Sequence, residues 1–334
     1  MSKHNTSQRL TKWTATIALV ATIGFVARAP AVADTFPTKP IRFVVGFSAG
    51  SSIDTVARIV AEGLRTKYNW NVVVDNRTGA NGQIAAGELQ SAQPDGYTML
   101  ISNSSTITVN PLIYKKLSYN PSQFMPVTTV VSVPFILTYN PENERLSGVK
   151  TLADLIDRAR QKPNELLYGS AGIGNLIHLA TALLSTSAKI QMRHVPFRGA
   201  APMQTAVLGR DIDISFDTTS AVPLIKSGNL KALAVSAAER WHDLPDVPTV
   251  AEQGYPGYDV SFWVGAFLPP KTPAGIVETV NKAFRAITED PKMQTLLSQQ
   301  GRIMAMTPEQ FADKIKAETE RNASIVKDAK IEIE

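Results

Sequence analysis

Ile41-Arg42-Phe43-Val44-Val45-Gly46-Phe47-Ser48-Ala49-Gly50-Ser51-Ser52-Ile53-Asp54 joins a short apolar run to a loop of small residues and the start of an amphipathic helix. Apolar residues then recur at helical spacing to about Tyr68, so the stretch reads as strand, loop and helix. Asn71 to Asp75 reads as the next strand, Gly79 to Ala92 as a helix opened by glycine, and Tyr97 to Ser102 as a third strand. A second unit of the same kind begins at Leu166-Leu167-Tyr168, passes through Gly169-Ser170-Ala171-Gly172-Ile173-Gly174-Asn175 and continues as a helix to about Leu184. Further strands are expected at Arg193 to Pro196, Ile212 to Phe216 and Ala232 to Ser236. From Thr272 onward the chain is mostly helical, with Pro273, Pro291 and Pro308 at helix starts, where a missing N–H does no harm. Strands alternating with helices predict an α/β protein on parallel sheets.

Residues 1–33 carry Lys3, Arg9, Lys12 and Arg28, an apolar stretch from Trp13 to Val26, and the small-residue spacing Ala31-Val32-Ala33. This order predicts a secretory signal peptide over 1–33, and hence a periplasmic protein. The apolar stretch is shorter than the ~20 residues a membrane-crossing helix needs, and no second stretch of that length follows. The chain has no cysteine, which excludes disulfides, thiolate catalysis, Cys-based zinc sites and a lipoprotein's acylated cysteine. Its formal charge is +5, but the four positive residues of 1–33 have no acidic counterpart, so removing them leaves +1. With no basic cluster left, nucleic acid is not expected as a partner. Isolated histidines and scattered carboxylates lack ligand spacing, so neither metal nor cofactor is expected.

The 301 residues beyond position 33 exceed what a single core usually serves. Val127 to Tyr139 and Tyr258 to Phe267 read as two crossings between lobes. Residues 34–133 with 259–334 then form one discontinuous lobe and 134–258 the other, with a ligand cleft between them.

Gly46-Phe47-Ser48-Ala49-Gly50 matches G-x-S-x-G between a strand and a helix, the context of a hydrolase nucleophile elbow at Ser48. Three features oppose catalysis. The loop follows the first strand, so no upstream strand supplies a second oxyanion donor; no HGGG-like loop precedes it; and no histidine lies near the C-terminus. The other reading is an anion cradle, in which amides of small residues and the positive end of the following helix face a ligand. Ser51 caps that helix and Asp54 closes a capping box, which leaves other terminal amides free. A carboxylate at Asp54 would repel an anion unless it turns away into the capping role or meets a donor group on the ligand; the capping role is preferred, and Asp54 stays among the candidate ligand-binding residues. The glycines at 169, 172 and 174 do not fit the dinucleotide fingerprint, and cradle logic applies to that loop too. His178 sits on the first turn after it. Ser102-Asn103-Ser104-Ser105 and Asp217-Thr218-Thr219 follow strands at the ends where open α/β sheets hold ligands, although turn formation is the simpler role for such residues.

Phe36-Pro37-Thr38-Lys39-Pro40-Ile41-Arg42, Phe47-Ser48-Ala49-Gly50 with Asp54 and Ala57-Arg58, Asp75-Asn76-Arg77-Thr78-Gly79-Ala80, and Pro94-Asp95-Gly96-Tyr97-Thr98 resemble the Bug family. These are extracytoplasmic receptors of tripartite tricarboxylate transporters. The resemblance continues through Tyr168-Gly169-Ser170, Gly172 to Ala180, His194-Val195-Pro196-Phe197-Arg198-Gly199, Phe216-Asp217, Leu233-Ala234-Val235 and Asp246 to Glu252. It implies a type II periplasmic-binding-protein fold, two α/β lobes joined by crossing strands, with a small carboxylate or dicarboxylate held by backbone amides. It also implies membrane transporter subunits as partners, no catalysis, and action as a monomer. By position, Phe47, Ser48, Ala49, Gly50, Ser51, Ser102, Asn103 and Ser104 would line the site from the first lobe. Ser170, Ala171, Gly172, Asn175, His178, Asp217, Thr218 and Thr219 would line it from the second, with Arg198 as a basic neighbour. The family usually has proline at Gly46 and a Gly-Gly pair at Gly50-Ser51, so Ser51 adds a side chain at the cradle's mouth. A secreted hydrolase using Ser48 and a ligand receptor for a sensor kinase are the competing expectations.

Overall fold

The computed structural model describes residues 36–328 and 331; the signal segment expected at 1–33 lies outside them. In chain order the first half holds β1 (Ile41–Val45), α1 (Ser52–Tyr68), β2 (Val72–Asn76), α2 (Gln83–Ser91), β3 (Thr98–Asn103), α3 (Asn110–Ile113), β4 (Met125–Pro134), β5 (Ile136–Tyr139) and α4 (Leu152–Gln161). There follow β6 (Leu167–Ser170), α5 (Leu176–Ala188), β7 (Arg193–Pro196), α6 (Ala200–Leu208), β8 (Ile214–Asp217), α7 (Val222–Lys226) and β9 (Lys231–Val235). The last part holds β10 (Ser261–Leu268), α8 (Ala274–Thr288), α9 (Pro291–Ser298), β11 (Arg302–Ile303) and α10 (Pro308–Asp328).

Two sheets result, in the orders β11-β4-β10-β3-β1-β2 and β7-β6-β8-β5-β9. The expectation of parallel sheets holds only for β1–β3 and for β6–β8. β10 runs antiparallel to β3 and β4, and β5 antiparallel to β8 and β9. The reason is the crossings: β4 leads out of the first sheet into β5 of the second, and the return strand β10 must run back between β3 and β4. This fixes which way the strand ends point. β3 and β4 share a direction, so the carboxyl ends of β1, β2 and β3 point toward the second sheet. β6, β7 and β8 oppose β5, so their carboxyl ends point back.

Helix α1 shows why these residues fold locally as they do. Ser51, in extended backbone, accepts the Asp54 amide, and Asn69 stops the helix in the left-handed conformation. Ile53, Val56, Ala57, Val60 and Leu64 form the buried stripe, each large one worth about 1.5–3 kcal/mol on burial. Pro291 and Pro308 open α9 and α10, and Pro273 precedes α8, as the prolines predict.

The two passages between sheets meet at one buried residue. Ser236 donates its amide to Phe135 O (2.9 Å) and accepts Val260 N–H on its own carbonyl (2.9 Å). Its hydroxyl accepts Phe135 N–H (2.8 Å) and donates to Val260 O. A third tie comes from α10, which packs on α5.

Candidate functional site

Because β1 and β3 are paired Val45 to Ile101, the chain beyond each strand continues side by side, bringing loop 46–51 next to Ser102–Ser104. In that loop Phe47 is half-buried while Ser48, Ala49 and Gly50 are exposed, and Gly50 has a φ of +80°. Asp54 sits beneath it, 2% exposed. Its carboxylate accepts the Gly50 amide (2.9 Å), Arg58 Nε (2.9 Å) and Asn76 Nδ2 (2.9 Å). Asn76 Nδ2 also donates to Phe47 O (2.9 Å). Burial pushes the Asp54 carboxyl up, but Arg58, the Gly50 amide and Asn76 outweigh it and hold the group below its ordinary value. The capping arrangement therefore differs in detail from the expected box. The carboxylate reaches Gly50 rather than the Ser51 amide, which bonds Ser48 O (3.1 Å) instead. The amides of Ser48, Ala49, Ser52 and Ile53 have no hydrogen-bond partner among the described residues.

Close packing sets the loop's back wall. A Cβ on Gly46 would stand 2.8 Å from Gly82 Cα, and one on Gly82, whose φ is +83°, would stand 2.4 Å from Thr106 Oγ1. Gly46 thus permits a direct approach of three loops that a proline would prevent. On the third of these, Ser102 and Ser104 are buried and their hydroxyls have no hydrogen-bond partner among the described residues. Asn103 Oδ1 accepts the Thr106 amide (3.3 Å). The chain then forms a π-helical turn, Ser105–Val109, anchored by Asn322 Nδ2 donating to Thr108 Oγ1 (2.9 Å) and by Thr108 Oγ1 donating to Ser104 O (2.9 Å). A π turn of this kind often marks a functional position.

In the second sheet, Gly169 and Ser170 belong to β6, so the loop proper is shorter than its sequence suggests. Gly172 and Gly174 take φ values of +143° and +72°. Asn175 caps α5, accepting the Ile177 and His178 amides (2.9 and 3.1 Å). His178 Nδ1 accepts the Gly174 amide (3.1 Å), which puts the neutral ring's proton on Nε2. The His178 and His194 rings stack at 3.9 Å and 17°, and Tyr168 stacks on His194 at 4.9 Å. Burial, joined for His178 by the neighbouring His194, lowers these imidazoles to about 3 and about 4. Ser170 Oγ meets His194 Nε2 at 2.6 Å and Gly172 O at 2.9 Å.

Asp217 lies fully buried at the end of β8, with Thr138 Oγ1 (3.3 Å), Ser215 Oγ (3.4 Å) and Gln204 Nε2 (3.4 Å) as donors and, among the described residues, no cation paired with it. Burial pushes its carboxyl up to about 7. Asp217 thus supports the turn rather than presenting an exposed charge. The partly exposed Thr218 and Thr219 follow it, with Thr218 Oγ1 against Ser220 Oγ (2.8 Å). Arg198 is exposed and makes no hydrogen bond or ion pair among the described residues; Gly199 beside it starts α6 with no side-chain cap. Ala171 is half-buried next to Ser170.

The expected residues therefore gather in two sets at facing carboxyl edges of the sheets. Two open surface pockets, about 390 Å³ around Leu183 and Tyr258 and about 470 Å³ between α10 and Phe124, border neither set. Asn76 and His194 are the residues that sequence reasoning missed. Asn76 stood in the quoted Asp75-Asn76-Arg77, where its place at the end of a strand was the available signal. His194 becomes a site residue only through the β6–β7 register, which sets it opposite Tyr168. The histidines of the described residues engage Ser170, Gly174 and Asp243, and none bonds Ser48.

Two α/β sheets, exchanged crossing strands and facing loops at the carboxyl edges define a two-lobed solute-binding protein. The sequence profile of the family described as "Tripartite tricarboxylate transporter family receptor" matches residues 56–331. The chain belongs to that family. Protein BugT of Bordetella pertussis is 33% identical over 315 residues, 92% of this chain and 94% of that one. Among solved structures, R. palustris Rpa4515 with adipate is 33% identical with a TM-score of 0.81, covering 89% of this chain and 99% of that one. MatC from Rhodopseudomonas palustris with bound malate is 29% identical with a TM-score of 0.76, covering 87% and 100%. Among the described residues no helix is long and apolar enough to cross a membrane, and no group of His, Asp or Glu has the arrangement of a metal site.

Proposed function

We propose that this protein is an exported periplasmic receptor that binds a small carboxylate, in the class of adipate and malate, and delivers it as a monomer to the membrane subunits of a tripartite transporter. The observation that carries the reading is the first-lobe cradle. Free amides of Ser48, Ala49, Ser52 and Ile53 surround the amino end of α1, while Asp54 is engaged from below by Gly50, Arg58 and Asn76. A helix end carries about half a positive charge, so a carboxylate fits there without a cation in contact. Residues 34–133 with 259–334 act as one lobe and 134–258 as the other, and Ser102, Ser104, Ser170, His178, Thr218, Thr219 and Arg198 meet the ligand's remaining surface. Catalysis is not part of the role, since Ser48 has no histidine partner and Ser170, which has one, is buried without a third acidic member.

The test is a melting series of the purified protein with succinate, malate, adipate, citrate and neutral diamide controls. A ligand that binds only the folded form raises the melting temperature by mass action. A rise with one or more carboxylates and none with the diamides supports the reading; no rise across the panel contradicts it.

A further inference from the structure

Arg302 on β11 pairs with Glu239, three residues past Ser236, at 2.6 Å, with the side chains 50% and 69% exposed. β11 and β4 belong to one sheet, whereas Glu239 follows β9 of the other, so this ion pair joins the two lobes. The sheet orders say on which side of the crossings it does so. In the first sheet, β4 and β10 stand between β11 and the strands β3, β1 and β2 that carry the ligand loops. In the second, β5 stands between β9 and the strands β8, β6 and β7 that carry the facing loops. The pair and the cleft therefore lie on opposite sides of the crossing strands. Ser236, bonded to both Phe135 and Val260, fixes the pivot between them.

We infer that the Glu239–Arg302 pair is a latch on the far arm of a lever, which favours the open cleft and is pulled apart when the lobes close. Rotation about Ser236 that brings loops 46–51 and 169–175 together moves β11 away from the segment after β9. Closure must then break the ion pair, and the pair's strength is withdrawn from ligand affinity. Asp259, on the return crossing, adds a second acidic neighbour to Arg302, so the arginine keeps some compensation when Glu239 leaves. The inference rests on the proposed lobe closure, yet it is testable without ligand.

The chain has no cysteine, so Val73→Cys on β2 and Arg193→Cys on β7 give two clean spin-label sites. Both strands are the outermost on the cleft side of their sheets, where closure shortens the distance most. In ligand-free protein, Glu239→Gln or Arg302→Gln should move the inter-label distance distribution toward shorter values. Arg302→Lys, which keeps a positive charge between Glu239 and Asp259, should leave the distribution near that of the native protein. In parallel, apparent affinity for adipate should tighten about two- to fivefold in each glutamine variant, the range an exposed ion pair allows. An unchanged or longer distribution in the glutamine variants overturns the latch, whatever the outcome with adipate. If the distances shift but no carboxylate binds, the latch stands and the ligand assignment fails.

Discussion

Asp54 accepts the amide of Gly50 at 2.9 Å from below the loop, so a carboxylate orients the cradle proposed to receive another carboxylate. The two do not collide because the Asp54 charge is spent on Arg58, Asn76 and Gly50. Asp54→Ala should lower stability by about 1 kcal/mol, through the lost bonds to the Gly50 amide and to Arg58, while Asn76 keeps its bond to Phe47 O. It should also weaken ligand binding, because the loop loses its floor. Urea unfolding beside a calorimetric titration measures both; a variant with unaltered stability and affinity would show that Asp54 orients nothing.

Gly46 sets how near the loops approach. Gly46→Ala places a Cβ 2.8 Å from Gly82 Cα, backbone that cannot swing aside. Overpacking at such a contact costs about 1–3 kcal/mol. The melting temperature should fall, and affinity should fall with it, since Gly82 in turn bears on Thr106 next to Ser104. Restored affinity in a Gly46→Ala, Thr106→Ala double variant, which removes the Oγ1 that stands nearest to Gly82, would support that chain of contacts.

Much of this was legible in sequence. The strand–loop–helix at 41–68 was clear because Ser51 and Asp54 are chemical start signals and the apolar stripe has helical spacing. Pro291 and Pro308 marked helix starts for the same local reason. What escaped reading depends on long-range pairing. β11 is two residues long and exists only against Ser132 and Val131. The antiparallel course of β10 follows from the crossings rather than from its own residues. Ser102 and Asn103, read partly as loop, belong to β3 because β10 pairs with them. The segment Gly79 to Gly82, read as the start of the helix, instead has positive φ at all four residues before α2 begins at Gln83.

Stability should depend on pH through two opposing groups. His178 and His194 are held neutral in the fold at about 3 and about 4, below the ordinary 6.5, so the unfolded chain binds more protons below neutrality. Their effect is a loss of stability as pH falls from about 6.5 toward 4. Asp217, raised to about 7, acts in the other sense: stability is lost as pH rises from about 4 through 7. Melting of His178→Gln should flatten the acid side and Asp217→Asn the neutral side. Profiles that change on neither side in these variants would mean that the groups are solvated.

Ser236 ties both crossings. Ser236→Ala leaves the Phe135 amide and the Val260 carbonyl each short of a bond, and an unpaired buried group costs about 1–3 kcal/mol. Hydrogen exchange should rise first at the Phe135 amide, which loses the hydroxyl, ahead of the Val260 amide, which keeps the Ser236 carbonyl. Unchanged protection of the Phe135 amide in the variant would mean that the crossings hold without the hydroxyl.

The most direct test of carboxylate capture by aimed amides is calorimetric titration with adipate at salt concentrations from about 20 mM to about 500 mM, where the screening length falls several-fold. The expected result is saturable binding whose affinity declines only modestly over that range, because the positive ends of backbone dipoles act at contact. Absence of binding, or an affinity that collapses with salt, would contradict it and point to a ligand gripped by exposed charge such as Arg198.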